Sequence, residues 1–181
     1  MEESPFRKKE RIPFTVEVAK PEDWRAYRDI RIEALTKNPE AFGATLEDAL
    51  KRKDLGWKFD LSDSNRRFYV LAKSGSGISA AKSVAGAFEK EYEKSWHIIG
   101  VYTREEFRGQ GLSRKVIEKI LAEAKNKGGI KATLNVTENI EQEPARKLYA
   151  DLGFSLIGRM EEDGEPYLIM GKDLSDIKDE R

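Results

Sequence analysis

The stretch "VYTREEFRGQGLSRKVIEKIL", residues 101–121, decides the fold, because it joins an apolar segment to an amphipathic run through a turn with two glycines. One stripe of this run is apolar at helical spacing and is formed by Leu112, Val116, Ile117, Ile120, Leu121 and Ala124. The preceding segment, "SWHIIGVYT", has the composition of a strand. The stretch therefore predicts a strand, a tight turn and a helix that packs on a sheet.

The turn before this helix predicts an anion site. The first N–H groups of a helix have no partner within the helix, and the helix dipole adds partial positive charge there. Gly109 and Gly111 lack a Cβ, so the backbone can turn tightly and approach a ligand, and Arg108 adds a charge that can pair with phosphate oxygens. A phosphate or pyrophosphate suits this environment. Glycine also occurs in such turns for steric reasons alone, and the turn by itself leaves both interpretations open.

Two other phosphate-binding motifs do not fit the turn. A P-loop needs a glycine followed by lysine and serine or threonine, whereas this chain has "GLSRK". A dinucleotide fingerprint needs a third glycine where the chain has Arg114, and an acidic residue further on, where the chain has Lys131 and its neighbours. The turn therefore belongs to neither class.

The composition limits the chemistry of the chain. Its 181 residues suit one domain, and its 33 basic residues balance 33 acidic ones, so net charge gives no reason to expect nucleic acid or an anionic membrane as partner. It has no cysteine and a single histidine, His97, which excludes disulfides, thiolate catalysis and multi-histidine metal sites. We therefore expect no metal, no nucleic-acid partner and no membrane partner.

The same features favour a cytoplasmic location. A chain without cysteine fits a reducing compartment. The N-terminal "MEESPFRKKERIPF" lacks the apolar core of a signal peptide, and stretches such as "HIIGVY" are too short to cross a bilayer.

The hydrophobic patterns predict the order β-α-α-β-β-β-α-β-α-β-β. The predicted strands are 14–20, 66–74, 83–92, 95–103, 130–136 and two closing strands around "EEDGE", and the glycine- and serine-rich segment 73–83 is predicted to be a hairpin loop. We expect one domain over residues 13–175, between tails at 1–12 and 176–181. The order predicts an α/β (α+β) fold, a mixed sheet with helices on both faces.

Three motifs together resemble the GNAT N-acetyltransferase superfamily: the opening stretch, then "LNV", then "ARKLYADLGF". The family's phosphate-binding signature is Arg or Gln, two residues, Gly, one residue, then Gly or Ala, and it falls here on residues 108–113. A later helix of the family carries Asn-x-x-Ala-x-x-Leu-Tyr before a Gly-Phe turn, matched here by Ala145, Leu148, Tyr149, Gly153 and Phe154. "IRIEALTKNPEAFGAT" resembles one bacterial-type branch, and the resemblance covers residues 14–174.

Two positions depart from the family pattern. Ser113 stands where the signature has Gly or Ala, and its hydroxyl could cap the helix or donate to phosphate. In the later helix, the usual asparagine position falls on Gln142, and the connection after "LNV" is longer than common, so that Asn139 is the alternative.

The resemblance implies a largely antiparallel mixed sheet, splayed at its middle strands, that receives the pantetheine arm of acetyl-CoA. The backbone at Val101, Tyr102 and Thr103 would pair with that arm. Arg108 and the amides of the turn would hold the pyrophosphate, the amides being those of Gly109, Gln110, Gly111, Leu112 and Ser113. The implied activity is transfer of an acetyl group from acetyl-CoA, a co-substrate, to a primary amine of a small molecule, protein or peptide by direct attack on the thioester.

The resemblance also implies that Tyr149 is the general acid of the reaction. A tyrosine has a reference pKa of ~10 and a thiol ~8.5, so a tyrosine can protonate a leaving thiolate. The alternative is that Tyr149 is a core aromatic, at helical spacing with Ala145 and Leu148.

Three residues are candidates for the acceptor side. His97 has a reference pKa of ~6.5, which suits a base, although a histidine beside Trp96 is also typical of a packed strand. Phe42 and Tyr167 would line the acceptor site or belong to the core. The apolar "YLIM" of the last strand suits a homodimer interface or the core.

The rival function is a non-catalytic acyl-CoA-binding or regulatory module with the same fold, because a fold alone does not decide function. The sequence leaves both the acceptor amine and the general base open.

Overall fold

A computed structural model of the chain describes residues 13–62, 67–87, 94–162, 164–175 and 177. The predicted tails, 1–12 and 176–181, therefore lie outside the described residues except for residue 177. The described strands form one sheet in the order β1-β2-β3-β4-β5-β7-β6, with β1 (Phe14–Val18), β2 (Arg67–Ser74), β3 (Ser79–Ala87), β4 (Ser95–Thr103), β5 (Lys131–Thr137), β6 (Ser155–Glu162) and β7 (Glu165–Asp173). Only the pairing of β4 with β5 is parallel among these strands.

Five α-helices accompany the sheet in the described part of the chain: α1 (Trp24–Lys37), α2 (Leu46–Lys51), α3 (Asp54–Asp60), α4 (Leu112–Asn126) and α5 (Glu143–Asp151). Two apolar clusters lie on opposite faces of the sheet. One joins α4 and α5 to the sheet, and the other joins α1 and α3 to β2, β3 and β4. The prediction of a mixed, largely antiparallel sheet with helices on both faces is confirmed.

The helix α4 forms because its apolar side chains repeat at helical spacing. All six residues of the predicted stripe are buried in it. They pack against β1, β2, β3 and β4. Burial of such a stripe against a sheet is what stabilises a helix of this length in water.

The middle of the sheet is open at one end. β4 and β5 pair over four positions, from Ser95 opposite Lys131 to Ile98 opposite Leu134. Beyond Ile98, β4 continues to Thr103, and β5 continues to Thr137, without mutual pairing. The two strands therefore splay apart as the resemblance implies, and the unpaired backbone of β4 faces the gap.

A β-bulge in β4 lies beside this gap. The register of β3 with β4 shifts between Lys82, opposite Tyr102, and Val84, opposite Ile99. Gly100 takes up the extra length with φ +63°, a left-handed conformation that glycine adopts without a Cβ penalty. The bulge interrupts the ladder, and Ser83 Oγ donates a hydrogen bond of 3.1 Å to the carbonyl of Ile99.

Two elements differ from the prediction. β3 begins at Ser79, inside the predicted loop 73–83, and the predicted strand 83–92 is described only to Ala87, where β3 ends. Its sequence, "SAAKSVAGA", has few residues with high strand propensity, but β3 lies between two strands and under helices on both faces. Burial on all sides selects small residues there, and this context overrides the local signal.

The helix α3 was absent from the prediction because its seven residues, "DLGWKFD", include a glycine and have no long periodic pattern. Tertiary packing supports it. Trp57 is 3% exposed, and its ring meets the Tyr27 ring edge-on at a centroid distance of 5.9 Å.

Gly129 provides a stability test of the connection between α4 and β5. A Cβ at this position would lie 2.5 Å from Trp96 Cδ1 and 2.7 Å from the Ala124 carbonyl oxygen, so the backbone or a core ring would have to move. We expect Gly129→Ala to lower the free energy of unfolding by about 2 kcal/mol or more, measured by urea denaturation. Gly75→Ala is the control, because its Cβ would meet no described atom within 4 Å. Equal stability of the two variants would contradict the expected clash.

Candidate active site

The N-terminus of α4 lies beside the end of β4 and has no side-chain cap from the described residues. Its N-cap is Gly111, with φ +75°, and the first helical hydrogen bond runs from Lys115 N to Gly111 O at 3.1 Å. The amides of the first turn are therefore left for an external acceptor, and the helix dipole makes this position favourable for negative charge.

Two glycines shape the backbone ahead of these amides. Gly109 has φ +77° and Gly111 has φ +75°, conformations that L side chains rarely adopt. A Cβ on either would meet no described heavy atom within 4 Å, so the space beside them is open. This open cradle, which a side chain would fill, suits an anion such as a phosphate group.

Hydrogen bonds hold the turn against the end of β4. Arg108 Nε donates to the Thr103 carbonyl at 3.2 Å, which fixes the guanidinium beside the cradle. The hydroxyls of Thr103 and Ser113 form a hydrogen bond of 2.8 Å. Ser113, the departure from the family signature, thus ties the first turn of α4 to β4 and does not cap the helix.

The side chains of the remaining predicted residues of the turn and strand are buried or half-buried. The Leu112 side chain is 2% exposed and belongs to the core, so only its amide can face a ligand. Val101 is half-buried and packs against the same core, and Gln110 is half-buried.

The side chain of Tyr102 fastens β4 to α1. Its hydroxyl donates to Glu33 Oε1 at 3.0 Å, and Arg104 Nη1 donates to Glu33 Oε2 at 2.5 Å. Burial, followed by the hydrogen bond with Glu33, raises the pKa of Tyr102 to about 12. Tyr102 is therefore a neutral donor that positions α1 beside the bulge.

Tyr149 lies on α5 and is 8% exposed. Its ring meets the Phe154 ring edge-on with a centroid separation of 6.1 Å, and no described residue forms a hydrogen bond with its hydroxyl. Burial raises its pKa to about 12. The phenol therefore stays protonated at neutral pH and can act as a proton or hydrogen-bond donor.

The connection into α5 occupies the side chain of one of the two candidate polar residues. Asn139 Oδ1 accepts a hydrogen bond from the amide of Glu141 at 3.0 Å, and the carbonyl of Asn139 accepts from Arg146 Nη1 at 2.7 Å. Gln142 is the N-cap of α5 and is half-buried.

Three side chains converge on the bulge from the α1 side. A Cβ placed on Gly100 would lie 3.1 Å from Lys82 Nζ, 3.7 Å from Arg31 Nη1 and 3.8 Å from Phe42 Cε1. The Phe42 ring centroid is 4.9 Å from the guanidinium carbon of Arg31 and 5.1 Å from Lys82 Nζ. The predicted acceptor residue Phe42 thus lies beside the Gly100 bulge, on the α1 side of the sheet.

The other two acceptor candidates lie elsewhere. His97 is on the part of β4 that still pairs with β5, where its Nδ1 and Thr133 Oγ1 are 2.9 Å apart, and burial lowers its pKa. Tyr167 is half-buried on β7, opposite Thr137 at the end of β5. Neither residue is brought to the Gly100 bulge by the contacts described above. β7, which carries "YLIM", is an interior strand of the sheet, and its Met170 is buried in the core.

Lys82 was not among the predicted site residues, because the segment 73–83 was predicted to be a loop and β3 begins at Ser79. The signal that could have found it is the run "ISAAKSVAGA", whose small residues on both sides of the lysine are typical of a strand buried on two faces. A lysine in the middle of such a strand is exceptional, because its charge is seldom buried.

The described residues contain no group of three histidine, cysteine, aspartate or glutamate side chains that could hold a metal ion. Within the same residues, no helix is long and apolar enough to cross a membrane.

Comparisons with known proteins agree with this geometry. The sequence profile of the Acetyltransferase (GNAT) family matches residues 24–154. A search of curated protein sequences finds no significant match.

Solved structures of acetyltransferases share the fold. The ribosomal-protein-S5-alanine acetyltransferase from Vibrio fischeri superposes with a TM-score of 0.75 at 16% identity, over 91% of this chain and 95% of that one. A GNAT-family acetyltransferase from Streptococcus pneumoniae superposes at 0.74 and 18% identity, over 89% and 99%. The ribosomal-protein-S18-alanine N-acetyltransferase from Escherichia coli superposes at 0.63 and 17% identity, over 93% and 99%.

At these identities the structural likeness defines the fold alone, whereas the family profile spans most of the chain. With its splayed sheet and its open glycine turn before α4, the chain belongs to the GNAT acetyltransferase family, whose members bind acetyl-CoA and an acceptor.

Proposed function

We propose that the protein is an acetyl-CoA-dependent N-acetyltransferase that acts on a primary amine. The observation that carries this proposal is the uncapped N-terminus of α4, with two glycines at positive φ, beside the end of β4 that does not pair with β5. A helix mouth of this kind suits a pyrophosphate, and the gap suits an extended arm.

The residues that would hold acetyl-CoA follow from this placement. The amides from Gly109 to Ser113 and the Arg108 guanidinium would bind the pyrophosphate, and the β4 backbone from Val101 to Thr103 would pair with the arm. When bound, acetyl-CoA supplies an acetyl group activated as a thioester.

The transfer requires an amine nucleophile and a proton for the leaving sulfur. The neutral amine attacks the thioester carbonyl, so that a C–N bond forms and the C–S bond breaks. Tyr149, a buried and protonated phenol, donates a hydrogen bond or a proton to the departing sulfur.

The acceptor would enter from the α1 side, past Phe42. Among the structural relatives, two are named for acetylation of ribosomal-protein alanine. A peptide with an N-terminal alanine is therefore one useful probe, beside polyamines, aminoglycosides and free amino acids.

The test has a binding arm and a chemical arm. Thermal unfolding in the presence of acetyl-CoA, coenzyme A and longer acyl-CoAs should show stabilisation by acetyl-CoA. Release of coenzyme A thiol should then depend on both acetyl-CoA and one class of amine, with mass spectrometry identifying the N-acetyl product. Stabilisation without amine-dependent thiol release across the panel would favour the non-catalytic acyl-CoA-binding module.

A further inference from the structure

Lys82 is the most unusual charged residue of the described core. It lies on β3 with 0% of its surface exposed, and its Nζ donates a hydrogen bond of 2.6 Å to the carbonyl of Gly100. No carboxylate among the described residues forms an ion pair with it. Buried lysines normally have such a partner, because desolvation of the ammonium is costly.

The hydrogen bond with Gly100 does not by itself require a lysine. The β4 bulge interrupts the register beside Ile99 and Gly100, and buried carbonyls need a donor. Ser83 provides the donor for Ile99 with a small neutral hydroxyl. The amine of Lys82 also donates to a carbonyl, that of Gly100, but its burial costs much more desolvation free energy than burial of a hydroxyl. This cost indicates that the amine has another role.

The surroundings of Lys82 disfavour its charged form. From α1, the Arg31 guanidinium lies beside it, and Glu33 of the same helix is engaged by Arg104 and Tyr102. From β4 its register partner is the neutral phenol of Tyr102.

The remaining neighbours add no negative charge. The register partner of Lys82 on β2 is Leu71, and Phe42 stacks over its amine. Burial, followed by the nearby Arg31, lowers the pKa of Lys82 well below its ordinary value. This shift favours the neutral amine, whose Nζ carries a lone pair, more than in an exposed lysine.

The location of this lone pair matches one need of the proposed reaction. Lys82 projects to the α1 side of the sheet, where its register partners Leu71 and Tyr102 belong to the cluster under α1. Tyr149 belongs to the cluster on the opposite side, with α4. A donor for the leaving sulfur and an acceptor for an amine proton thus lie on opposite faces of the same sheet.

We propose that Lys82 is the general base that removes a proton from the acceptor amine, an inference that rests on the proposed N-acetyltransferase function. The acceptor enters as an ammonium, and one proton passes to Lys82 Nζ and then to water. The freed nitrogen lone pair attacks the thioester carbonyl as the C–S electron pair leaves on sulfur. The sulfur receives the Tyr149 proton, and the second proton lost by the nitrogen restores the phenol.

The first test of this proposal needs no turnover. Because the folded pKa of Lys82 is lowered, the unfolded chain binds more protons at Lys82 than the folded chain between that lowered pKa and the ordinary value of ~10.4. The contribution of Lys82 to stability therefore rises with pH across this window. Lys82→Met removes this contribution. We therefore expect the difference in Tm between Lys82→Met and wild type to shift in favour of wild type as the pH rises toward about 10. A difference in Tm that stays constant with pH would contradict the proposal that Lys82 carries a neutral amine.

The second test uses turnover with an amine that the wild-type enzyme acetylates. Lys82→Met and Lys82→Gln should both lose about 100-fold in kcat at pH 7 while still being stabilised by acetyl-CoA. Their residual rate should rise with pH, because only acceptor that is already neutral can react. Glutamine retains an N–H donor for Gly100, so recovery of activity in Lys82→Gln would overturn the base and leave a hydrogen-bonding role.

Further outcomes distinguish failure of the Lys82 proposal from failure of the proposed N-acetyltransferase function. Ser83→Ala removes the neighbouring bulge hydrogen bond, and it should lose much less activity than Lys82→Met; an equal loss would point to bulge geometry and overturn the base. Stable acetylation of Lys82 itself, seen by mass spectrometry after acetyl-CoA alone, would also overturn it. Activity retained in Lys82→Met would contradict only the proposal that Lys82 is the general base. A wild-type protein that is inactive with every amine would contradict the proposed N-acetyltransferase function.

Discussion

Replacing Tyr149 by phenylalanine is expected to lower kcat by about 100-fold while leaving acetyl-CoA binding intact. The substitution removes only the hydroxyl, which has no described hydrogen-bond partner, and keeps the ring that packs against Phe154. Without this donor, the departing thiolate must take its proton from water in a desolvated site. Steady-state kinetics with saturating acetyl-CoA and amine measure the effect.

The matched control is Tyr69→Phe. Tyr69 is also a buried tyrosine, and burial raises its pKa, but it lies on β2 in the cluster under α1. The Tyr69→Phe variant should keep most of the wild-type activity. Because the pKa of Tyr149 is about 12, the wild-type kcat should not fall through ionisation of this phenol between pH 7 and about 10. An unchanged kcat in Tyr149→Phe would remove the phenol from the mechanism.

Replacing Gly111 by alanine is expected to weaken acetyl-CoA binding by about 10- to 100-fold. The methyl group would enter the open space of the cradle, where it would displace phosphate oxygens from the first amides of α4. Its backbone conformation, with φ +75°, adds strain of ~1–2 kcal/mol to the folded state. Isothermal titration with acetyl-CoA measures the affinity, and urea denaturation measures the strain.

Gly128→Ala separates these two effects. Gly128 follows the other end of α4, has φ +80°, and a Cβ there would also meet no described atom within 4 Å. The two variants should therefore lose similar stability, whereas only Gly111→Ala should lose affinity. Similar affinities for acetyl-CoA in both variants would argue against the cradle as the pyrophosphate site.

The features predicted most accurately from the sequence were local ones. The stripe of α4 was predicted residue by residue, because an apolar face at helical spacing leaves one way of packing on a sheet. The strand at residues 95–103 was also correct to the residue. Both signals lie within one continuous stretch of chain.

Features that depend on distant partners were predicted less well. The position of β3 was predicted incorrectly, because its small residues resemble those of a loop. They form a strand because two neighbouring strands and helices on both faces enclose them. The helix α3 depends on Trp57 packing against Tyr27, which is remote in sequence. Among the acceptor candidates, Phe42 reaches the bulge at Gly100, whereas His97 lies in the closed part of the sheet.

By itself, the sequence determined the glycine turn and the helix that follows it, since conformations at positive φ and helical periodicity are properties of neighbouring residues. Only the tertiary structure decided where β4 and β5 part, that Gly100 forms a bulge, and that Lys82 is buried beside it. These depend on the register between strands and on what covers each face. Burial and a neighbouring charge, which set the state of the lysine, arise only when β3 and α1 meet.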